Sequence, residues 1–306
     1  MCSHYKRFVE GFQLIEQVTN PTHVYFDELH HYISSKIRKS IEHIHEYEHV
    51  LSILGLTATP QSILLKRGIW SKITLIKTDT DLSNYSGIRD VNFVPVDHLI
   101  TTPYTPFAIC EFKEKSDETI HFIKGVLEDH PELFNSRVRC FIPAHVIRSG
   151  HKEVSDLLFE KCNDVVVVII NSKDKTLRFQ KNGKIYEISV VSVDKEVCER
   201  IGEILTQYDL LDRPLFITGF LCVGMGQTLT HSSYGTFTHA IISHFSVNTV
   251  ILYQLMGRIT GRTKKWDTYS QTTLFCPTPI YDFAIQMEKI TSQIHHKITL
   301  YPDDLK

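Results

Sequence analysis

An α/β fold of two tandem lobes, each built on a parallel sheet, is what this sequence predicts, and three observations predict it. Apolar runs of strand length alternate along the chain with segments of helical period. A length of 306 residues is enough for about two domains, each with its own core. A proline-punctuated polar stretch separates an early strand–helix–strand group from a longer later one. Strand, helix, strand in succession is the unit from which parallel sheets are made.

The elements follow in order. His23-Val24-Tyr25-Phe26 reads as a buried strand that stops at Asp27, and residues 52–56 read as a second that stops at Thr57. Between them Ile33, Ile37, Ile41 and Ile44 fall at steps of four and three, which predicts a helix over 32–47. Over 94–115 the pattern breaks, with Pro95, Pro103 and Pro106 in a polar setting. Alternation then resumes: a helix over 118–127, a strand over 138–142, a helix over 152–159 and a strongly buried strand over 164–170. Residues 177–188 carry Asn182-Gly183 at their middle, the dipeptide that closes a tight β-hairpin. A helix over 195–207, strands over 215–218 and 239–243, a helix opening at 250–255, a strand over 272–275 and a helix over 281–295 complete the chain. The resulting division is a partial first lobe over 1–95, a linker over 96–116, a second lobe over 117–280, and a C-terminal helix and tail over 281–306.

Charge and cysteine usage narrow the function classes. A formal net charge of −2 gives no global basic field, so nucleic acid would have to be held by a local groove. The seven cysteines never stand at CxxC spacing, which points away from a zinc site or disulfide framework and toward a reducing compartment. The longest aliphatic run, 165–170, is far short of the ~20 residues that span a bilayer. The expectation is a soluble intracellular protein with no membrane partner.

In α/β sheets ligands sit beyond the carboxyl ends of the strands, and four strings at such positions carry chemistry. Val24-Tyr25-Phe26-Asp27-Glu28-Leu29-His30 delivers two consecutive carboxylates from a strand end; one can hold hydrated Mg²⁺ while its neighbour polarises a water. Leu54-Gly55-Leu56-Thr57-Ala58-Thr59-Pro60 places two hydroxyls around a small residue at another strand end. Phe216-Ile217-Thr218-Gly219 is followed by Gly224-Met225-Gly226-Gln227-Thr228, where glycines let backbone amides approach a phosphate. Gln254-Leu255-Met256-Gly257-Arg258-Ile259-Thr260-Gly261-Arg262, if helical throughout, aligns Gln254, Arg258 and Arg262 on one face as a cationic ridge.

These strings resemble motifs II, III, V and VI of the superfamily 2, DExH-box helicases, over roughly 22–275 of the chain; 140–145 falls where motif IV belongs. The resemblance implies two RecA-like lobes, the first lacking its early strands. It implies a hydrolase that uses Mg²⁺ and ATP to move on or unwind RNA or DNA. Asp27 would hold the Mg²⁺ through water and Glu28 would be the general base. His30, Thr57 and Thr59, with Gln254 and Gly226, would belong to the ATP site and its coupling to the strand. Thr218, Gly219 and Thr228 would contact nucleic acid. Arg258 and Arg262 would stabilise the transferring phosphoryl, a contribution of ~10³–10⁵ in rate. The family's second arginine usually stands seven residues after the glutamine, where this chain has Gly261. Gln227-Thr228 likewise replaces the more usual Ile-Asp or Ile-Asn.

The family's P-loop string, GxxxxGK[ST], is nowhere in the sequence; the one Gly-Lys pair, Gly183-Lys184, is followed by Ile185. Without that cradle the β- and γ-phosphates lack their amides and lysine. Three readings stand open: a fragment, a chain whose P-loop half comes from a separate polypeptide, or a silent relative that only binds nucleic acid. A different class of function is offered by His45-Glu46-Tyr47-Glu48-His49, which matches the HExxH zinc-protease signature and needs both histidines on one helix face.

Overall fold

The computed structural model describes residues 5–26, 35–56, 83–100, 112–145, 147–220, 223, 228–243 and 249–300. The chain forms two compact units, one of residues 1–78 with 289–306 and a larger one of 79–288.

In the smaller unit helix α1 (Tyr5–Gln17) precedes strand β1 (Thr22–Phe26), helix α2 (Ser35–Ile44) and strand β2 (Val50–Gly55). The two strands are parallel, with Val24 beside Ile53 and Phe26 beside Gly55. Alternation along β1 sends Val24 and Phe26 inward against Ile41 and Ile44 of α2, with Phe12 and Ile15 of α1 closing the cluster. Tyr25 and Leu54 stay exposed.

The larger unit opens with strand β3 (Asn92–Pro95) and helix α3 (Phe112–Asp129), then strand β4 (Arg139–Pro143), helix α4 (Arg148–Lys161) and strand β5 (Val166–Ile170). A hairpin of β6 (Lys175–Lys181) and β7 (Lys184–Ser189) follows, then helix α5 (Val197–Gln207) and strand β8 (Leu215–Gly219). Strand β9 (His239–Ile241), helix α6 (Thr249–Met256), strand β10 (Thr273–Cys276) and helix α7 (Thr278–Leu300) complete it, α7 belonging to this unit as far as Glu288. One eight-stranded sheet runs in the order β3-β10-β9-β4-β8-β5-β6-β7. Its pairings are parallel from β3 to β5 and antiparallel at β5–β6 and β6–β7.

Both faces of this sheet are covered, as parallel sheets require. Val166, Val168 and Ile170 join a core with Ile201 and Leu205 of α5, Leu252 and Leu255 of α6, and Ile280 of α7. Val167 and Ile169 point the other way, to Phe122 and Val126 of α3 and Val154 and Leu158 of α4. An uninterrupted aliphatic run is therefore what a strand at this place in the sheet needs. At the hairpin turn Asn182 and Gly183 have φ of 54° and 72°, the two left-handed residues of a type I′ turn.

The α/β class with mainly parallel pairing agrees with the sequence reading, and the domain boundary is corrected. Residues 79–95, expected in the first lobe, belong to the larger unit because β3 pairs with β10 and Phe93 stacks on Tyr281 at 4.1 Å. The start of the expected linker is packed as well. Val96 is buried, Leu99 lies against Gly125, and the Asp97 carboxylate accepts the Thr278 amide proton at 2.8 Å. Residues 101–111 lie outside the described residues. No described helix is long and apolar enough to cross a membrane.

Candidate functional site

The carboxyl ends of β4, β5, β8 and β9 lie on one side of the larger unit because these strands are mutually parallel. The residues gathered there are polar and mostly buried. β8 ends at Thr218-Gly219, β4 runs into Ala144 and His145, and β5 runs into Asn171. Gly219 has φ +155°, and a Cβ on it would stand 2.2 Å from the Ile170 carbonyl oxygen. Its own carbonyl accepts the Ala144 amide proton at 2.8 Å. A glycine is required here so that three strand ends can converge.

Thr218 was expected to reach a nucleic-acid backbone; its side chain is instead fully buried. Its Oγ1 makes no hydrogen bond among the described residues. Strand alternation sets Thr218 on the same side of β8 as Phe216. Thr228 is exposed, and Gly226 lies outside the described residues.

His151, in the first turns of α4, belongs to this region and was missed in the sequence. Its Nε2–H donates to the His145 carbonyl at 2.6 Å, since a carbonyl can only accept, and its Nδ1 is buried with no partner among the described residues. Burial holds its pKa below the usual value, against the raising effect of the His145 carbonyl and Asp174. A signal was available: Gly150, His151, Val154, Ser155 and Leu158 mark the buried face of α4, and histidine is the odd member. The linkage has a definite sign. A histidine whose folded pKa is depressed binds protons better when unfolded, so stability is full above about pH 6.5 and declines as pH falls through that value. His239, also depressed chiefly by burial, acts in the same direction. Urea unfolding between pH 7.5 and 5 is therefore expected to show falling stability, and His151→Gln, which keeps a donor for the His145 carbonyl, is expected to flatten the slope. An unchanged slope in His151→Gln would remove His151 as its source.

The segment from Gln254 to Arg262 departs from the expected single helix. α6 ends at Met256, a 3-10 turn spans Gly257–Ile259, and Gly261 has φ +147°. Gly261 exchanges both backbone hydrogen bonds with Ser86, at 2.8 and 2.9 Å, and that bridge turns the chain away from the helix axis. Gln254, Arg258 and Arg262 therefore do not share a helix face. Gln254 and Arg258 are half-buried and Arg262 is exposed. Beyond the bridge Lys264 pairs with Asp90 at 3.0 Å, and the Asp90 carboxyl is held below its usual range first by the Gly87 amide and then by Lys264.

In the smaller unit, Asp27, Glu28, His30, Thr57 and Thr59 lie outside the described residues. What is described is the pair of strands that leads to them. Phe26 and Gly55 are register partners, and the Leu56 amide donates to the Phe26 carbonyl at 2.8 Å. Phe26 and Leu56, the last described residues before DELH and TAT in the sequence, thus stand at the same end of one parallel pair.

The zinc-protease reading is corrected. α2 ends at Ile44, so His45 and His49 are not successive turns of one helix. His49 stacks on Tyr47 and its Nε2–H donates to the Ile15 carbonyl at 2.9 Å, while the His49 carbonyl accepts the Thr22 amide proton at 2.7 Å. The chain must leave the helix here to enter β2. Among the described residues no cluster of three or more histidine, cysteine or acidic side chains could hold a metal ion.

No protein-family model matches the chain, and no curated protein matches it. Among solved structures it is similar to the crystal structure of a DEAD box protein from the hyperthermophile Methanococcus jannaschii. The two are 12% identical with a TM-score of 0.34, over 94% of this chain and 61% of that one. The chain thus spans less than two thirds of the length of that structure.

Proposed function

We propose that this chain is the motor-core portion of a DExH-type superfamily 2 helicase, coupling Mg²⁺-ATP hydrolysis to movement on RNA or DNA once a P-loop is supplied by other residues or a separate polypeptide. In this reading the units carry RecA-like lobes. Asp27 holds Mg²⁺ through water, Glu28 is the general base, and His30, Thr57 and Thr59 couple the nucleotide to the strand. Arg258 supplies the finger, with Arg262 as its neighbour, and Gln254 and Gly226 complete the nucleotide side. Gly219 and Thr228 line the nucleic-acid side, where Thr218 acts from beneath by shaping the β8 end.

The observation that carries the reading is the parallel, in-step ending of β1 and β2 immediately before Asp27-Glu28 and Thr57-Ala58-Thr59. Adjacent parallel strand ends are where nucleotide-binding α/β proteins collect their ligands. The expected result is that the purified chain shows no Mg²⁺-dependent ATPase above background. Activity is expected when a P-loop-bearing polypeptide is added, and Glu28→Gln or Arg258→Ala should then reduce it by about 10³-fold or more. An ATPase in the chain alone that Glu28→Gln abolishes would refute the dependence on an external P-loop. A second reading, a silent nucleic-acid-binding relative, is favoured by the missing P-loop string. It predicts salt-sensitive strand affinity that no nucleotide or added polypeptide alters.

A further inference from the structure

We infer that the β6–β7 hairpin is a contact for single-stranded nucleic acid, at the opposite end of the sheet from the strand carboxyl ends. β5 and β6 are antiparallel with Val166 beside Phe179 and Ile170 beside Lys175, so the Asn182-Gly183 turn lies at the amino-end side of the parallel strands. The hairpin register sets Lys181 directly opposite Lys184 and Phe179 directly opposite Tyr186. By strand alternation both pairs occupy one face.

Like charges directly opposed across two strands are unfavourable for the hairpin itself. Neither lysine has an acidic partner among the described residues, whereas Arg178 in the same hairpin is paired with Asp156 and Glu187. The lysines are exposed, so their charge is available to an anion. Next to them Tyr186 is 41% exposed and stacks on Phe179 at 5.2 Å and 10°, and Phe179 is fully buried. A tyrosine ring held from behind by a buried ring, with two cations one pair further along the same face, presents a surface for one base and its flanking phosphates. Stacking plus backbone charge is how proteins hold single strands without reading sequence. The inference does not depend on the helicase reading, since the hairpin shares no residue with the site proposed for ATP hydrolysis.

The test uses the full chain and fluorescent oligo(dT) and oligo(rU), with anisotropy measured from low to high salt. Lys181→Glu together with Lys184→Glu is expected to weaken binding at least tenfold and to reduce the slope of log affinity against log salt by about 1.4, two single-strand phosphate contacts. Tyr186→Ala is expected to weaken binding about tenfold with the slope unchanged, and Tyr186→Phe to retain it. The single change Lys181→Glu places opposite charges across the pair, so it should raise the melting temperature slightly while still lowering affinity. Affinity that survives the double lysine change and Tyr186→Ala would overturn the inference, as would absence of strand binding in the unaltered chain. Equal lysine-dependent binding to phosphatidylserine vesicles with no effect of Tyr186→Ala would also overturn it, in favour of a bare anionic surface.

Discussion

Gly219→Ala is expected to destabilise the larger unit by about 4 kcal/mol, lowering its melting temperature by roughly 8–16 °C. Two costs add. The backbone at Gly219 has φ +155°, a region open to glycine and strained for any other residue. The new methyl carbon would also stand 2.2 Å from the Ile170 carbonyl oxygen and 2.8 Å from the Val223 Cγ1 atom. A side-chain tip could move aside, but a carbonyl inside a parallel pairing cannot shift without breaking the β5–β8 ladder, in which Ile170 and Gly219 are partners. Gly257→Ala is the control. A Cβ there meets nothing within 4 Å, and φ is not in the left-handed region, so that change should be neutral or stabilising by up to about 1 kcal/mol. Thermal melts of both variants, followed by circular dichroism, check the pair. A Gly219→Ala chain that melts with the unaltered protein would show that the β8 end can relax.

Arg139→Met is expected to cost about 3 kcal/mol although methionine fills a similar volume. Arg139 begins β4, is 5% exposed, and spends its guanidinium on backbone carbonyls rather than on a carboxylate. Its Nε donates to the Tyr234 carbonyl at 2.9 Å, and its Nη1 to those of Val138 and Arg213 at 3.0 and 2.8 Å, while its Nη2 donates to Leu211. Burial pushes its pKa down to about 10, so it stays charged at neutral pH. Methionine removes the cost of burying that charge but takes this donor from the Tyr234, Leu211 and Arg213 carbonyls, each worth about 1–3 kcal/mol, while the Val138 carbonyl keeps the Leu215 amide. Arg139→Lys keeps the charge and loses the fork, so it should also destabilise, by about 2 kcal/mol. Urea unfolding gives both values. Should Met prove neutral while Lys is damaging, desolvation of the cation would outweigh the loss of its bonds.

These two residues also mark where sequence reading stops. Thr218-Gly219 was legible as a strand end with chemical interest, but that Gly219 is held against Ile170 depends on a partner 49 positions away in the chain. Nothing local distinguishes Arg139 from a surface arginine. His151 was concealed in the same way: its neighbours at helical spacing could have flagged it, but the carbonyl it bonds belongs to the β4 end. The single helix expected across the arginine string is interrupted for a local reason, since the helix ends at Met256 before Gly257 and the chain turns at Gly261. His45 and His49 failed for a global one, because the chain must turn there to run beside β1.

By itself the sequence determined the α/β class, most element positions, the buried run of β5 and the Asn182-Gly183 turn. Each of these rests on periodicity, burial pattern or a residue's own backbone preference, which act over a few positions. Only the tertiary structure decided that β3 joins the larger unit beside β10, that Thr218 is buried, that Lys181 faces Lys184, and that Arg139 holds four carbonyls. The physical reason is that register and partner choice are set by packing and hydrogen bonds between segments distant in the chain, which no local pattern encodes.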